Sequence, residues 1–248
     1  MSDIRYILSF DCADKTLGIC LIGWLPKEHI DERIECIKSV ISSDKYYDSA
    51  KLVGDLIFVK NMWLFNLLPD LVVRDTEDAI RLGRLKSALM VIRKYMNTNG
   101  LKPHNVIVEY QMGQNDLSRL ISAAIIYEFC DEDGNIQMSI CGTAPSTSQI
   151  NEHKEDKNSH IKVIMPGAKN SFHFHPSLSY GNFAAKYKTT KTANKHHTAE
   201  NFKYFLQLQN SSSNKKIKFD LIKHSEINHI SDAFMQAVYW ILEQWSGS

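Results

Sequence analysis

Apolar positions along the chain fall into runs of two different periods, separated by polar breaks. Residues 4–12 (IRYILSFDC) and 16–24 (TLGICLIGW) are mostly apolar and of strand length, with only Ala13-Asp14-Lys15 between them. That spacing predicts an antiparallel hairpin. Residues 56–68 (LIFVKNMWLFNLL) predict a third strand, stopped by Pro69. The period then changes. Over 76–97, Ile80, Leu85, Leu89, Ile92 and Met96 form an apolar helical stripe that Thr76 can cap, and Gly100 and Pro103 end it. Val106, Ile107 and Val108 predict a short buried strand broken at Glu109. Residues 117–129 (LSRLISAAIIYEF) predict a helix that is apolar on more than one face. A short strand over 161–165 closes at Pro166-Gly167, and two helices follow over 197–208 and 228–245. In the last of these, Ile230, Phe234, Ala237, Val238, Ile241 and Leu242 face the core.

This order fits one α/β domain spanning 1–248, with a mixed five-stranded sheet flanked by helices. Segments 26–55, 131–160 and 168–190 read as insertions. Within the first, 34–41 suits strand or helix equally. The second reads as a hairpin or loop. The third, extending to 194, reads as a long loop rich in Lys, His, Ser and Thr. There is no internal repeat.

Composition narrows the setting. No apolar run reaches membrane-spanning length, and the first residues lack the basic-then-apolar pattern of a signal peptide. Residence inside a cell, without a membrane, is the expectation. The five cysteines form no CxxC pair and are odd in number, which points to buried free thiols rather than a disulfide framework or zinc ribbon. Net charge is +1, but residues 154–224 hold thirteen lysines against four acidic residues. The rest of the chain is acidic, so this basic stretch is either a phosphate-facing surface or a solvated insertion.

Three acids stand where acids are costly. Asp11 and Glu109 end apolar strands, and Asp232 lies in the first turns of an apolar helix. Carboxylates gathered in a core repel one another unless a cation neutralises them. Two Mg²⁺ or Mn²⁺ ions would do so and would support phosphodiester hydrolysis. Each acid alone also fits an exposed strand end or a structural partner.

Phe10-Asp11-Cys12-Ala13-Asp14-Lys15 and residues 106–111 (VIVEYQ) resemble the first two motifs of poxvirus-type Holliday junction resolvases. These are viral relatives of bacterial RuvC and fungal mitochondrial resolvases, with an RNase H-like fold. Residues 195–202 (KHHTAENF) are similar to their basic motif, and 228–245 to their closing helix with its D-x-x-D pair. Residues 63–68 (WLFNLL) resemble the third strand of fungal and large-DNA-virus members. The resemblance implies a metal-dependent endonuclease that nicks four-way junctions symmetrically as a homodimer. If the chain is viral, it works where viral DNA replicates, in cytoplasm or nucleus. Asp11, Glu109 and Asp232 would be metal ligands, and Lys195 or Lys191 the phosphate-contacting base. Gln111, Arg119, Lys186, Lys188 and Lys191 are candidate DNA contacts, as is Asn115.

The first position of the closing pair is His229 instead of a carboxylate. One helical turn from Asp232, it can still reach a metal, and an imidazole favours Mn²⁺ over Mg²⁺. The alternative is a capping or hydrogen-bonding histidine. His173, His175, His196 and His197 could form a zinc site, though no cysteine accompanies them. Rival functions are a related nuclease for flaps, forks or RNA–DNA hybrids, and an inactive junction-binding protein. A sugar-kinase or actin-like ATPase would need later Gly-rich phosphate loops, which are absent from the sequence.

Overall fold

A computed structural model describes residues 4–13, 15–30, 33, 35–36, 53–68, 77–109, 116–129, 138–141, 161–164, 189–212 and 224–246. The hairpin forms as the sequence predicts. Strand β1 (Arg5–Cys12) pairs antiparallel with β2 (Thr16–Trp24), and β2 pairs antiparallel with β3 (Ile57–Asn66). On its other side β1 pairs in parallel with β4 (Asn105–Glu109). Two four-residue strands continue the sheet, β5 (Met138–Cys141) and β6 (Ile161–Ile164), giving the order β3-β2-β1-β4-β6-β5. The described residues therefore form six strands where five are expected. The additional one is β5, inside the segment read as an insertion. Four residues flanked by largely polar sequence carry too little pattern to separate a strand from a loop.

Helices α1 (Glu77–Thr98) and α2 (Asp116–Glu128) cover one face of the sheet. Helices α3 (Thr190–Ser212) and α4 (His224–Ser246) cover the other. Because side chains alternate along a strand, the two faces have separate cores. Leu8, Phe10, Leu17, Leu21, Val106 and Val108 pack beneath α1 and α2. Ile7, Cys20, Ile22 and Ile107 pack beneath α3 and α4, with Phe202, Phe205 and Phe234. Ile30 and Val53 join this second core, so part of the 26–55 segment is built into the fold. Arg93 ties α1 to α2, donating to the Glu128 carbonyl at 3.0 Å and pairing with its carboxylate at 2.8 Å.

Helix α3 begins earlier than the apolar pattern indicates. Residues 190–194, read as loop, are helical, and Thr189 caps them by accepting the Thr192 N–H at 3.2 Å. The first turns, Thr-Lys-Thr-Ala-Asn-Lys, carry only one apolar side chain, Ala193, which is buried. Thr76, expected to cap α1, and Pro69 lie outside the described residues. No helix among the described residues is long and apolar enough to cross a membrane.

Candidate metal and nuclease site

The alternation that separates the two cores also aims the acids. On β1, Leu8, Phe10 and Cys12 point toward α1 and α2, so Ile7, Ser9 and Asp11 point toward α3 and α4. On β4, Ile107 faces α3 and α4, and Glu109 follows it by two on the same side. The parallel register runs Ser9 to Ile107 and Phe10 to Val108. One step further, Asp11 and Glu109 stand side by side at the C-terminal ends of neighbouring strands. Their charges meet at the Cys12 thiol. Burial chiefly pushes that thiol far up, and Asp11 and Glu109 both add to the effect.

Helix α4 brings the remaining ligand candidates. His229 and Asp232 lie one turn apart, and Asp232 is 7% exposed. The His229 imidazole reaches Asp11 directly, with Nδ1 and Oδ2 at 2.7 Å, while Asp11 is 6% exposed. Holding a carboxylate that deep requires a cationic or hydrogen-bonding partner. At its far end α4 is anchored by Trp245, whose Nε1–H donates to the Leu25 carbonyl at 3.0 Å, and by the Trp24–Trp240 edge contact.

The direction of α3 follows from its contacts. Gln209 is fixed to Val59 near the start of β3, at the end of the sheet away from Asp11. Phe202 and Phe205, earlier in α3, pack on Phe234, which follows His229 by five residues. Helix α3 therefore descends in the same sense as α4, and its N-terminal turns lie toward the acids. Lys195 is exposed on those turns. Lys191 belongs to the same helix, although its side chain is not among those described. Arg119 is exposed near the start of α2, on the opposite layer. Gln111, Asn115, Lys186 and Lys188 lie outside the described residues.

The proposed histidine site is partly resolved. His197 is buried, with its ring 3.2 Å from the Asn201 side-chain nitrogen, which suits a structural role. His173 and His175 lie outside the described residues. One neighbour of the acids was not a sequence candidate at all. Gly18 is the cross-strand partner of Asp11, and the His229 backbone lies directly over it. Its signal was a glycine inside an apolar strand, which marks either a bulge or a close backbone approach.

The donor set suits a hard divalent cation: three carboxylates and one imidazole, from two adjacent strand ends and one helical turn. Among the described residues, no three His, Cys, Asp or Glu side chains already stand together at ligand spacing.

No family model matches the chain, and no curated protein does. Among solved structures, the Fowlpox virus resolvase in complex with substrate Holliday junction DNA aligns over 96% of this chain and 97% of its own. The TM-score is 0.41 and the identity 14%, a likeness too loose to carry an argument.

Proposed function

We propose that the protein is an RNase H-like, divalent-metal-dependent endonuclease that resolves four-way DNA junctions by paired, symmetric nicks. The observation that carries this reading is the 2.7 Å contact of His229 on α4 with Asp11, on the strand end that neighbours the end of β4 where Glu109 stands. Two bound Mg²⁺ or Mn²⁺ ions would supply an activated water and charge stabilisation on the leaving 3′ oxygen. The chain's own work is to hold the donors. Asp11 and Glu109 offer oxygens from the rigid sheet, and from α4 Asp232 offers an oxygen and His229 an imidazole nitrogen. Lys195, on the exposed start of α3, is suited to meet a scissile-strand phosphate. Arg119, Lys191 and the basic stretch around Lys186 and Lys188 would track the flanking backbone, making binding fall steeply with salt.

Two nicks across a junction call for two sites, which a C2 homodimer would provide. Helix α2 buries Ile121 and Ile125 against the sheet but leaves Leu120 and Tyr127 outward, Tyr127 at 74% exposure. That outward side supports a second copy as its cover.

The deciding experiment presents labelled four-way junction, fork, flap, RNA–DNA hybrid and plain duplex to the protein with Mg²⁺ or Mn²⁺. Preferential, symmetric cutting of the junction is expected. Equal cutting of junction and duplex would remove the junction specificity and leave a general nuclease. Binding without cleavage under every metal condition would favour an inactive junction-binding protein.

A further inference from the structure

Gly18 has no conformational need to be glycine. Its φ is not positive, Gly100 being the one described glycine that adopts a positive value. It pairs across the hairpin with Asp11, so the two residues share the sheet face that α4 covers. A Cβ built on Gly18 would lie 2.4 Å from both the carbonyl carbon and the oxygen of His229, and 2.7 Å from its Cβ. Two of those three atoms are backbone and cannot rotate aside. Ordinary contact begins at 3.4 Å, so the turn of α4 would have to lift by about 1 Å. Gly23, on the same strand, differs in kind. There a Cβ would meet the ring of Phe58, toward the other end of the sheet.

We propose that Gly18 is a positioning residue for the acidic site: its missing side chain seats the His229 turn on β2 and thereby sets the reach of His229 and Asp232 to Asp11. This rests on the metal-site reading above. An alanine at 18 pushes the imidazole off a 2.7 Å contact and spreads the helix-borne donors away from the strand-borne ones. A displacement of that size is large for a cation that requires donors within tenths of an ångström.

The test compares full-length wild type, Gly18→Ala and Gly23→Ala, with Mn²⁺ alone as probe. Free Mn²⁺ is followed by electron paramagnetic resonance, and melting is measured separately in chelator. Gly18→Ala is expected to weaken Mn²⁺ binding by roughly 10-fold or more, the scale seen when groups behind metal ligands are disturbed. Gly23→Ala should lower the melting temperature while its Mn²⁺ affinity stays within about twofold of wild type. Equal affinity in Gly18→Ala and wild type would overturn the proposal and leave the metal site standing. Absence of Mn²⁺ binding in wild type would overturn both. Should Gly18→Ala fail to fold, Mg²⁺ titration of ¹⁵N-labelled wild type decides. The Gly18 and His229 amides should shift together with one apparent affinity, and a Gly18 amide unmoved at saturation would overturn the proposal.

Discussion

His229 and Asp11 meet at 2.7 Å through Nδ1 and Oδ2, although 218 positions separate them in the chain. The contact explains how a carboxylate can remain at 6% exposure on a strand end. It also makes His229 the residue whose replacement says most about the site. With histidine in place of a carboxylate, the donor set carries one negative charge fewer and has a softer member. His229→Asp is therefore expected to raise Mg²⁺-supported cleavage relative to Mn²⁺-supported cleavage. The check is the ratio of the two rates in each protein. An unchanged ratio would mean that His229 serves Asp11 by hydrogen bonding and not the metal.

Asp11→Asn should separate chemistry from recognition. It keeps the shape and the capacity to hydrogen-bond but removes the charge that several kcal/mol of metal-based stabilisation requires, so cleavage should fall by about 10³-fold or more. Junction affinity, measured by gel shift in Ca²⁺, should change by less than about threefold because phosphate contacts dominate it. Parallel loss of both would show that Asp11 holds the fold together.

Lys195→Ala should weaken junction binding and reduce the steepness of its salt dependence by about one counterion. Lys203, one face over on the same helix, already pairs with Glu200 at 2.8 Å and supplies the comparison. Identical salt slopes for the two alanine variants would remove Lys195 from the DNA contact surface.

His104 gives the fold a pH dependence remote from the acids. Its Nδ1 accepts the Tyr6 N–H at 3.1 Å, which requires that nitrogen to be unprotonated. Desolvation, with Arg5 and Lys102 adding, lowers its pKa below the ordinary 6.5. The folded chain then binds fewer protons than the unfolded one as pH falls below 6.5, so stability is full above that value and declines beneath it. Wild type should lose more melting temperature than His104→Gln on acidification from about pH 7.5 to pH 5.5. Parallel curves would assign the acid sensitivity elsewhere.

Gln209 makes two 2.9 Å hydrogen bonds to the backbone of Val59, one to its N–H and one from its own amide to the carbonyl. Gln209→Ala leaves both groups without that partner and should cost about 1–3 kcal/mol. Denaturant titration would measure it, and Mn²⁺ affinity should stay at the wild-type value.

The legible part of this protein is the part with a strong period or an expensive residue. The β1–β2 hairpin, α1, β4 and α4 follow from apolar runs, and Asp11, Glu109 and Asp232 stood out because acids on apolar elements need a reason. The start of α3 was hidden because a polar helix held by a threonine cap has no stripe to read. Strand β5 was hidden by its four-residue length. Gly18 was hidden for a different reason. Its importance lies in the backbone of His229 passing over it, and a glycine in an apolar strand hints at a close approach without saying which distant segment makes it.

Among the described residues, strand β3 ends the sheet on one side, and an outer strand edge is a row of backbone groups able to recruit another strand. The pairing of β2 with β3 skips Lys60, which is exposed, so the strand is kinked by a bulge with a charge upon it. The Gln209 amide occupies the adjoining Val59 position as a neighbouring strand would. Together they keep this edge from serving as a template. Partial loosening of α3, well short of unfolding, is therefore expected to open this edge and promote chain-to-chain association.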